Sequence, residues 1–134
     1  MWDEERVAAW RNYGLDQIVV EAWIRRTFGD KVMDNPKERA LRLAEESLEV
    51  LQTSEAGREE AHALVDMVYD KEPGVLLQEV GGVTVTLLAL CAHHGLRLDD
   101  VAGTEIARMQ SIARDEFQRR QEAKATLGVA DRPE

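Results

Sequence analysis

The sequence predicts an all-α protein, and three observations lead to that fold class. Apolar residues recur every three or four positions over long stretches, as they do on one face of a helix. Only 3 prolines occur in 134 residues, too few for a turn-rich β-sandwich. Asn35-Pro36, with Glu38 three residues after the asparagine, is a strong helix start. We expect about five helices in a single domain over residues 1–127.

Each helix has its own justification. Trp10, Ile18, Trp23 and Phe28 can share one face of the first helix, and a Gly-Asp pair ends it. The second helix begins at the asparagine cap, and a Pro-Gly pair ends the third. The last begins at an aspartate cap and leaves residues 128–134 with nothing to bury, as a frayed tail. The expected ranges are 3–28, 36–52, 57–70, 75–94 and 100–125.

The segment 75–94 has two interpretations. Val80 to Thr86 alternates Val and Thr around a Gly-Gly pair, which favours a β-hairpin. The apolar run that follows, ending at Gly95, is typical of a helix end. A lone hairpin in a small helical domain would have no sheet partner, so we expect one buried helix.

Composition excludes several function classes. The chain carries 17 Lys and Arg against 26 Asp and Glu, a net charge of −9. An acidic chain lacks the basic footprint that nucleic acid or an anionic membrane requires. The single cysteine, Cys91, cannot form an internal disulfide. The longest mostly apolar stretch, Val83–Ala92, is short for a membrane helix. We expect a cytoplasmic protein that binds neither nucleic acid nor membrane.

A carboxylate cluster carries the most informative chemistry. Glu45, Glu46 and Glu49 fall three and four residues apart and therefore share one side of a helix. Their mutual repulsion would reverse sign around a divalent cation, and Mg²⁺ prefers hard oxygen ligands that bridge to phosphates. The alternative interpretation is a solvated acidic face.

Glu79 strengthens the metal interpretation. It is the only charged residue between Glu72 and Arg97, and charged groups are rarely buried unless they are paired or bind metal. Gly81 and Gly82 follow it, as expected where a helix or ligand approaches closely. The alternative is that Glu79 caps a helix start and the glycines form a turn.

Other candidates are weaker. Cys91 and His94, with His93 between them, resemble half of a zinc site, but no second pair exists. His62 and Asp66 lie one helical turn apart. They could form a hydrogen-bonded pair, support metal ligands from the outer coordination shell, or be ordinary surface residues. Trp23 could stack on a nucleotide base, although a core position is favoured.

These segments resemble a known family. Residues 38–49, with Glu45-Glu46-Ser47-Leu48-Glu49, and residues 78–83, Gln-Glu-Val-Gly-Gly-Val, resemble the MazG-like branch of the all-α NTP pyrophosphohydrolases. The family signature is EExxE on one helix and ExxD on the next long one. The resemblance implies a helical bundle completed by oligomerisation, as a homodimer or tetramer.

The resemblance also implies a reaction and a site. Family members hydrolyse nucleoside triphosphates, NTP or dNTP, to the monophosphate and pyrophosphate, which clears unwanted nucleotides from the pool. The resemblance assigns Glu46, Glu49 and Glu79 as ligands of Mg²⁺, which Mn²⁺ could replace. Glu45 becomes a further ligand or a base that orients water. Any arginine near the acids could clamp phosphate, and Arg39 and Arg42 are the candidates.

One departure from the signature keeps other functions open. Gly82 stands where the family has Asp, so the fourth carboxylate is missing. Three ligands plus water could suffice, Asp66 could substitute, or activity could be lost. The alternatives are therefore a non-catalytic module of the same fold that binds a nucleotide or protein, or a phosphoribosyl-ATP pyrophosphohydrolase. The extra segment 53–74 disfavours the phosphoribosyl-ATP pyrophosphohydrolase, because compact enzymes of that kind are expected to lack it.

Overall fold

The computed structural model describes the backbone from residue 4 and the side chains from residue 16 onward. Trp10, expected on the apolar face of the first helix, lies outside the described side chains. In the described part of the chain the regular structure is helical throughout. The helices are α1 Glu4–Phe28, α2 Asp30–Met33, α3 Pro36–Thr53, α4 Arg58–Tyr69, α5 Leu76–His93, α6 Leu98–Ser111 and α7 Arg114–Thr126.

The all-α prediction is confirmed, and segment 75–94 is one helix rather than a hairpin. The described chain has seven helices instead of about five, for two reasons. A single helical turn, α2, follows Gly29, whose φ of 97° favours glycine. The expected last helix is broken before α7, where Ala113 adopts an extended conformation with ψ of 140°.

The described helices form two compact units. Unit 1 combines the described residues up to Leu41 with Leu98–Glu134, and unit 2 is Arg42–Arg97. In unit 1, α1 packs against α2, α6 and α7. Trp23, Phe28 and Phe117 form an edge-to-face aromatic cluster there, with ring centroids 4.8 Å apart for Trp23 and Phe117. Trp23 therefore has a packing role.

Residues 128–134, indicated as a frayed tail, fold back onto α2 and α3. The Asp131 backbone N–H donates to Glu38 Oε2 at 2.9 Å. The Glu134 carboxylate accepts the backbone N–H groups of Asp30 and Lys31, each at 3.2 Å. Glu134 thereby supplies acceptors for the free N–H groups at the start of α2.

The apolar helix α5 is longer than the apolar stretch Val83–Ala92 that the sequence analysis identified. Its 18 residues are long and apolar enough to cross a membrane by length and composition, and it is alone in this among the described residues. A core helix of a soluble protein meets the same criterion, but such a helix is mostly buried, whereas 6% of α5 is buried.

Candidate functional site

The acidic cluster lies on the part of α3 that belongs to unit 2. Helical geometry places Glu45, Glu46 and Glu49 on one side, as the sequence predicted. Glu46 and Glu49 are exposed, and Glu45 is 30% exposed. Arg42 Nη1 lies 3.0 Å from Glu45 Oε2. This ion pair partly neutralises the cluster at its N-terminal edge.

The two arginines assigned to phosphate have different surroundings. Arg42 lies beside the acids and is 19% exposed, so its guanidinium is held close to the acidic face. Arg39 belongs to unit 1, where its Nη2 lies 3.6 Å from Oε1 of the buried Glu38. Of the two, Arg42 shares a unit with the candidate acids.

Glu79 lies in the first turn of α5 and is exposed. Its carboxylate lies against Gly74, in the space that a side chain at residue 74 would occupy. A carboxylate at this end of a helix interacts favourably with the helix dipole. The structure thus gives Glu79 the helix-start position that the alternative interpretation described, and the expectation of a buried charge is wrong.

The glycines after Glu79 do not mark a close approach within the chain. A Cβ built on Gly81 or Gly82 meets no atom within 4 Å. The expectation that a facing helix touches them here is therefore not met in the described chain. The open space also means that Gly82 could carry an aspartate side chain without a clash.

The candidate ligands are not gathered into a metal site in this chain. Among the described side chains, no group of three or more His, Cys, Asp or Glu is placed to hold a metal ion. The expected convergence of Glu46, Glu49 and Glu79 is therefore absent here. Its physical cause is that α3 and α5 form no extended contact in the described chain, so nothing brings their acids together.

The weaker candidates have simple structural roles. Cys91 is a buried free thiol, and it is the one core residue of α5. The His93 and His94 rings pack edge to face, with centroids 4.8 Å apart. His62 and Asp66 are exposed on α4. None of these belongs to a metal-binding group within residues 16–134.

Sequence reasoning missed a polar cluster in unit 1. Glu38 is 1% exposed; its Oε1 accepts from Gln121 Nε2 at 2.8 Å, and its Oε2 accepts from the Asp131 backbone. Asn35 caps α3 as predicted, accepting from the backbone N–H of Lys37 at 3.0 Å. The Asn35-x-x-Glu38 spacing therefore signalled the cap correctly, and it gave no sign that the Glu38 carboxylate accepts hydrogen bonds from Gln121 and Asp131.

A charged cluster on α1 was also missed. Arg25 donates to Asp34 at 2.7 Å, to Glu21 at 2.8 Å and to Asp30 at 3.0 Å. The hydrogen bond from Arg25 lowers the pKa of Asp34 below its ordinary value. Because the cluster is solvent-exposed, it orders the α1–α2 corner rather than forming a chemical site.

Comparison with known proteins gives no relative from which to transfer a function. No protein-family model matches the chain. No curated protein matches it, and no solved structure does. The assignment of a function therefore depends on the residues themselves.

Proposed function

We propose that the protein is a Mg²⁺-dependent nucleoside triphosphate pyrophosphohydrolase that converts an NTP or dNTP to the monophosphate and pyrophosphate. One observation carries the proposal. The three glutamates on one side of α3 share unit 2 with Glu79 of α5 in an all-helical chain. These are the three acids of EExxE and the first acid of ExxD in the MazG-like family that the sequence resembles, and Gly82 replaces the last one.

The chemical types of the candidate ligands suit Mg²⁺. Three carboxylates and a carboxylate–arginine pair offer hard oxygen ligands beside a cationic group for phosphate. The positions of these side chains do not yet form a site, because the described chain does not bring three of the acids together. The proposal therefore requires α3 and α5 to come together in the working form of the protein.

The charge of the chain favours a metal-bound substrate. A net charge of −9 repels a free nucleotide, and phosphoryl transfer depends chiefly on charge neutralisation and positioning. A bound Mg²⁺ supplies that neutralisation and lowers the pKa of a bound water. The proposal gives Arg42, which pairs with Glu45, the role of a phosphate ligand that exchanges this carboxylate for phosphate oxygens.

A product assay tests the proposal. The purified chain is incubated with Mg²⁺ and a panel of NTPs, dNTPs and phosphoribosyl-ATP, and pyrophosphate is measured against orthophosphate. We expect pyrophosphate and a nucleoside monophosphate from at least one triphosphate. Turnover of phosphoribosyl-ATP alone would assign the reaction of histidine synthesis instead.

A matched pair of variants links turnover to the acids. Glu49→Gln should lower kcat by at least about 100-fold, because it removes a proposed ligand of the cation. Glu59→Gln, an exposed acid in the first turn of α4, should leave it unchanged. Equal activity of both variants would contradict the site.

Two observations favour a second function. The acids are not gathered in the described chain, and Gly82 lacks the carboxylate that the family signature has. A non-catalytic module that binds a nucleotide or a protein is consistent with both facts. Such a module would release no pyrophosphate from any member of the panel. Calorimetry would then detect nucleotide binding if the ligand is a nucleotide, and no nucleotide binding if the ligand is a protein.

A further inference from the structure

The tail, residues 128–134, is turned back by a defined helix ending. The Gly128 N–H donates to the Ala125 carbonyl at 2.9 Å, and the Val129 N–H donates to the Lys124 carbonyl at 3.1 Å. With Gly128 at a φ of 79°, these two bonds form the pattern that ends a helix at a left-handed glycine. The chain therefore leaves α7 in a fixed direction, toward the beginnings of α2 and α3.

One residue of the tail is held through its backbone by two buried side chains. Asp131 donates its N–H to Glu38 Oε2 at 2.9 Å, and its carbonyl accepts from Gln121 Nε2 at 2.7 Å. Glu38 and Gln121 are 1% and 4% exposed. An acceptor beside a donor binds the N–H and C=O of one residue, as main-chain hydrogen bonds do in peptide recognition. We call Glu38 and Gln121 the backbone clamp.

Two further contacts depend on the side chains of the tail. Asn35 Nδ2 donates to Asp131 Oδ2, so an amide N–H meets the aspartate carboxylate. The Glu134 carboxylate accepts the backbone N–H groups of Asp30 and Lys31, each at 3.2 Å. The tail is therefore bound through one backbone position, through the aspartate at that position and through a glutamate three residues later.

The tail can leave without unfolding of the helices, but the clamp then needs another occupant. Arg132 and Glu134 are exposed, and segments at the surface with few buried contacts open locally at low cost in free energy. A buried carboxylate oxygen that loses its donor is unfavourable. Glu38 Oε2 therefore favours a second segment that presents the same N–H. The tail itself shows which chemistry fits.

We propose that unit 1 contains a peptide-binding site, built from the backbone clamp and Asn35, whose ligand is an acidic segment of a partner protein with the pattern Asp-x-x-Glu. The tail occupies this site as an intramolecular ligand, and the partner segment displaces it. The residues of the site all belong to unit 1, and none is a candidate metal ligand. Failure of this proposal and failure of the enzymatic one are therefore independent.

A variant of the whole chain that empties the site tests the proposal. Asp131→Pro removes the N–H that Glu38 accepts and the carboxylate that Asn35 contacts, so the tail should leave the site. The probe is a fluorescent hexapeptide with the sequence of residues 129–134, and anisotropy measures its binding. The probe should bind Asp131→Pro saturably and the wild type at least about tenfold more weakly. A tail docked in about 90% of the molecules leaves about 10% of the sites open.

Two controls connect binding to these contacts. Arg132→Ala removes an exposed ion pair between the tail and Glu122 and keeps the contacts of Asp131. It should therefore bind the probe as weakly as the wild type does. A second hexapeptide has alanine in place of its aspartate and glutamate. It should bind Asp131→Pro at least about tenfold more weakly than the probe, because both charge-assisted hydrogen bonds are lost.

Three results would overturn the proposal. They are no binding of the probe to folded Asp131→Pro, equal binding of the probe to this variant and the wild type, and equal binding of the two peptides. If Asp131→Pro fails to fold, hydrogen exchange of the wild type decides. The amides of Asp131 and Glu134, which donate to Glu38 and to the Phe28 carbonyl, should exchange faster when unlabelled probe peptide displaces the tail. Unchanged exchange at millimolar peptide would refute the site.

Discussion

Glu38 shows how one residue links three distant parts of the chain. Its carboxylate accepts from Gln121, 83 positions along the chain, and from the backbone of Asp131 in the tail. Gln121 donates in addition to the Asp131 carbonyl at 2.7 Å. Because both glutamate oxygens are acceptors for buried donors, the site requires a carboxylate rather than its amide.

Glu38→Gln should therefore destabilise the protein. The new NH₂ group would face either Gln121 Nε2 or the Asp131 N–H, and a buried donor without an acceptor costs about 1–3 kcal/mol. We expect the free energy of unfolding in urea to fall by this amount at fixed protein concentration. Glu122→Gln, at a half-exposed residue of the same unit that pairs with Arg132, removes only a solvent-screened ion pair and should change the free energy of unfolding by less than about 1 kcal/mol. A loss in Glu122→Gln as large as that in Glu38→Gln would refute this role.

At the scale of elements, the threonine hydroxyls of α5 are satisfied within the helix itself. Thr84 and Thr86 donate their hydroxyls to backbone carbonyls one turn earlier, at 2.9 Å and 3.0 Å. These bonds satisfy polar groups within an apolar helix. The two glycines work against the helix, since each costs about 1 kcal/mol relative to alanine in a helix interior.

The two glycines of α5 should respond differently to alanine. Gly82 lies on the polar side of the helix with open space around it, so Gly82→Ala should raise the free energy of unfolding by about 0.5–1 kcal/mol. Gly81 lies on the same side of the helix as Leu77 and Val85, which are both exposed. If the homodimer or tetramer that the family resemblance implies uses this side, Gly81→Ala should also change the association constant, measured by sedimentation. An identical effect of both substitutions on association would contradict an interface on this side of α5.

At the scale of the whole molecule, apolar attraction and charge repulsion oppose each other. Unit 2 carries ten Asp and Glu against four Lys and Arg. In the homodimer or tetramer that the family resemblance implies, two such chains bring like charges together, so self-association would have to overcome a repulsive field. Salt screens that field over roughly 10 Å at 0.1 M.

Raising NaCl from about 0.02 to 0.3 M should therefore tighten self-association, lowering the dissociation constant several-fold. Sedimentation of the wild type across a salt series measures it. A dissociation constant that rises with salt would mean that ion pairs, rather than apolar faces, hold the copies together.

The sequence by itself determined the helices. Helical periodicity and the Asn35 cap are local properties, written in residues a few positions apart, and they placed α3, α4 and α5 to within a few residues. Local signals also described Glu79 as a helix-start acid, although the burial expected of it did not occur. The break at Ala113, between α6 and α7, has no proline or glycine to indicate it, and therefore escaped prediction.

Only the tertiary structure decided which groups meet. The burial of Glu38 by Gln121 and the docking of residues 128–134 depend on contacts across more than 80 positions, which no local pattern encodes. Helical geometry put the three glutamates of α3 on one side, as the sequence predicted. A metal site that includes Glu79 also needs α3 and α5 to pack together. Packing is a property of facing surfaces, and in unit 2 those surfaces remain uncovered by the chain itself.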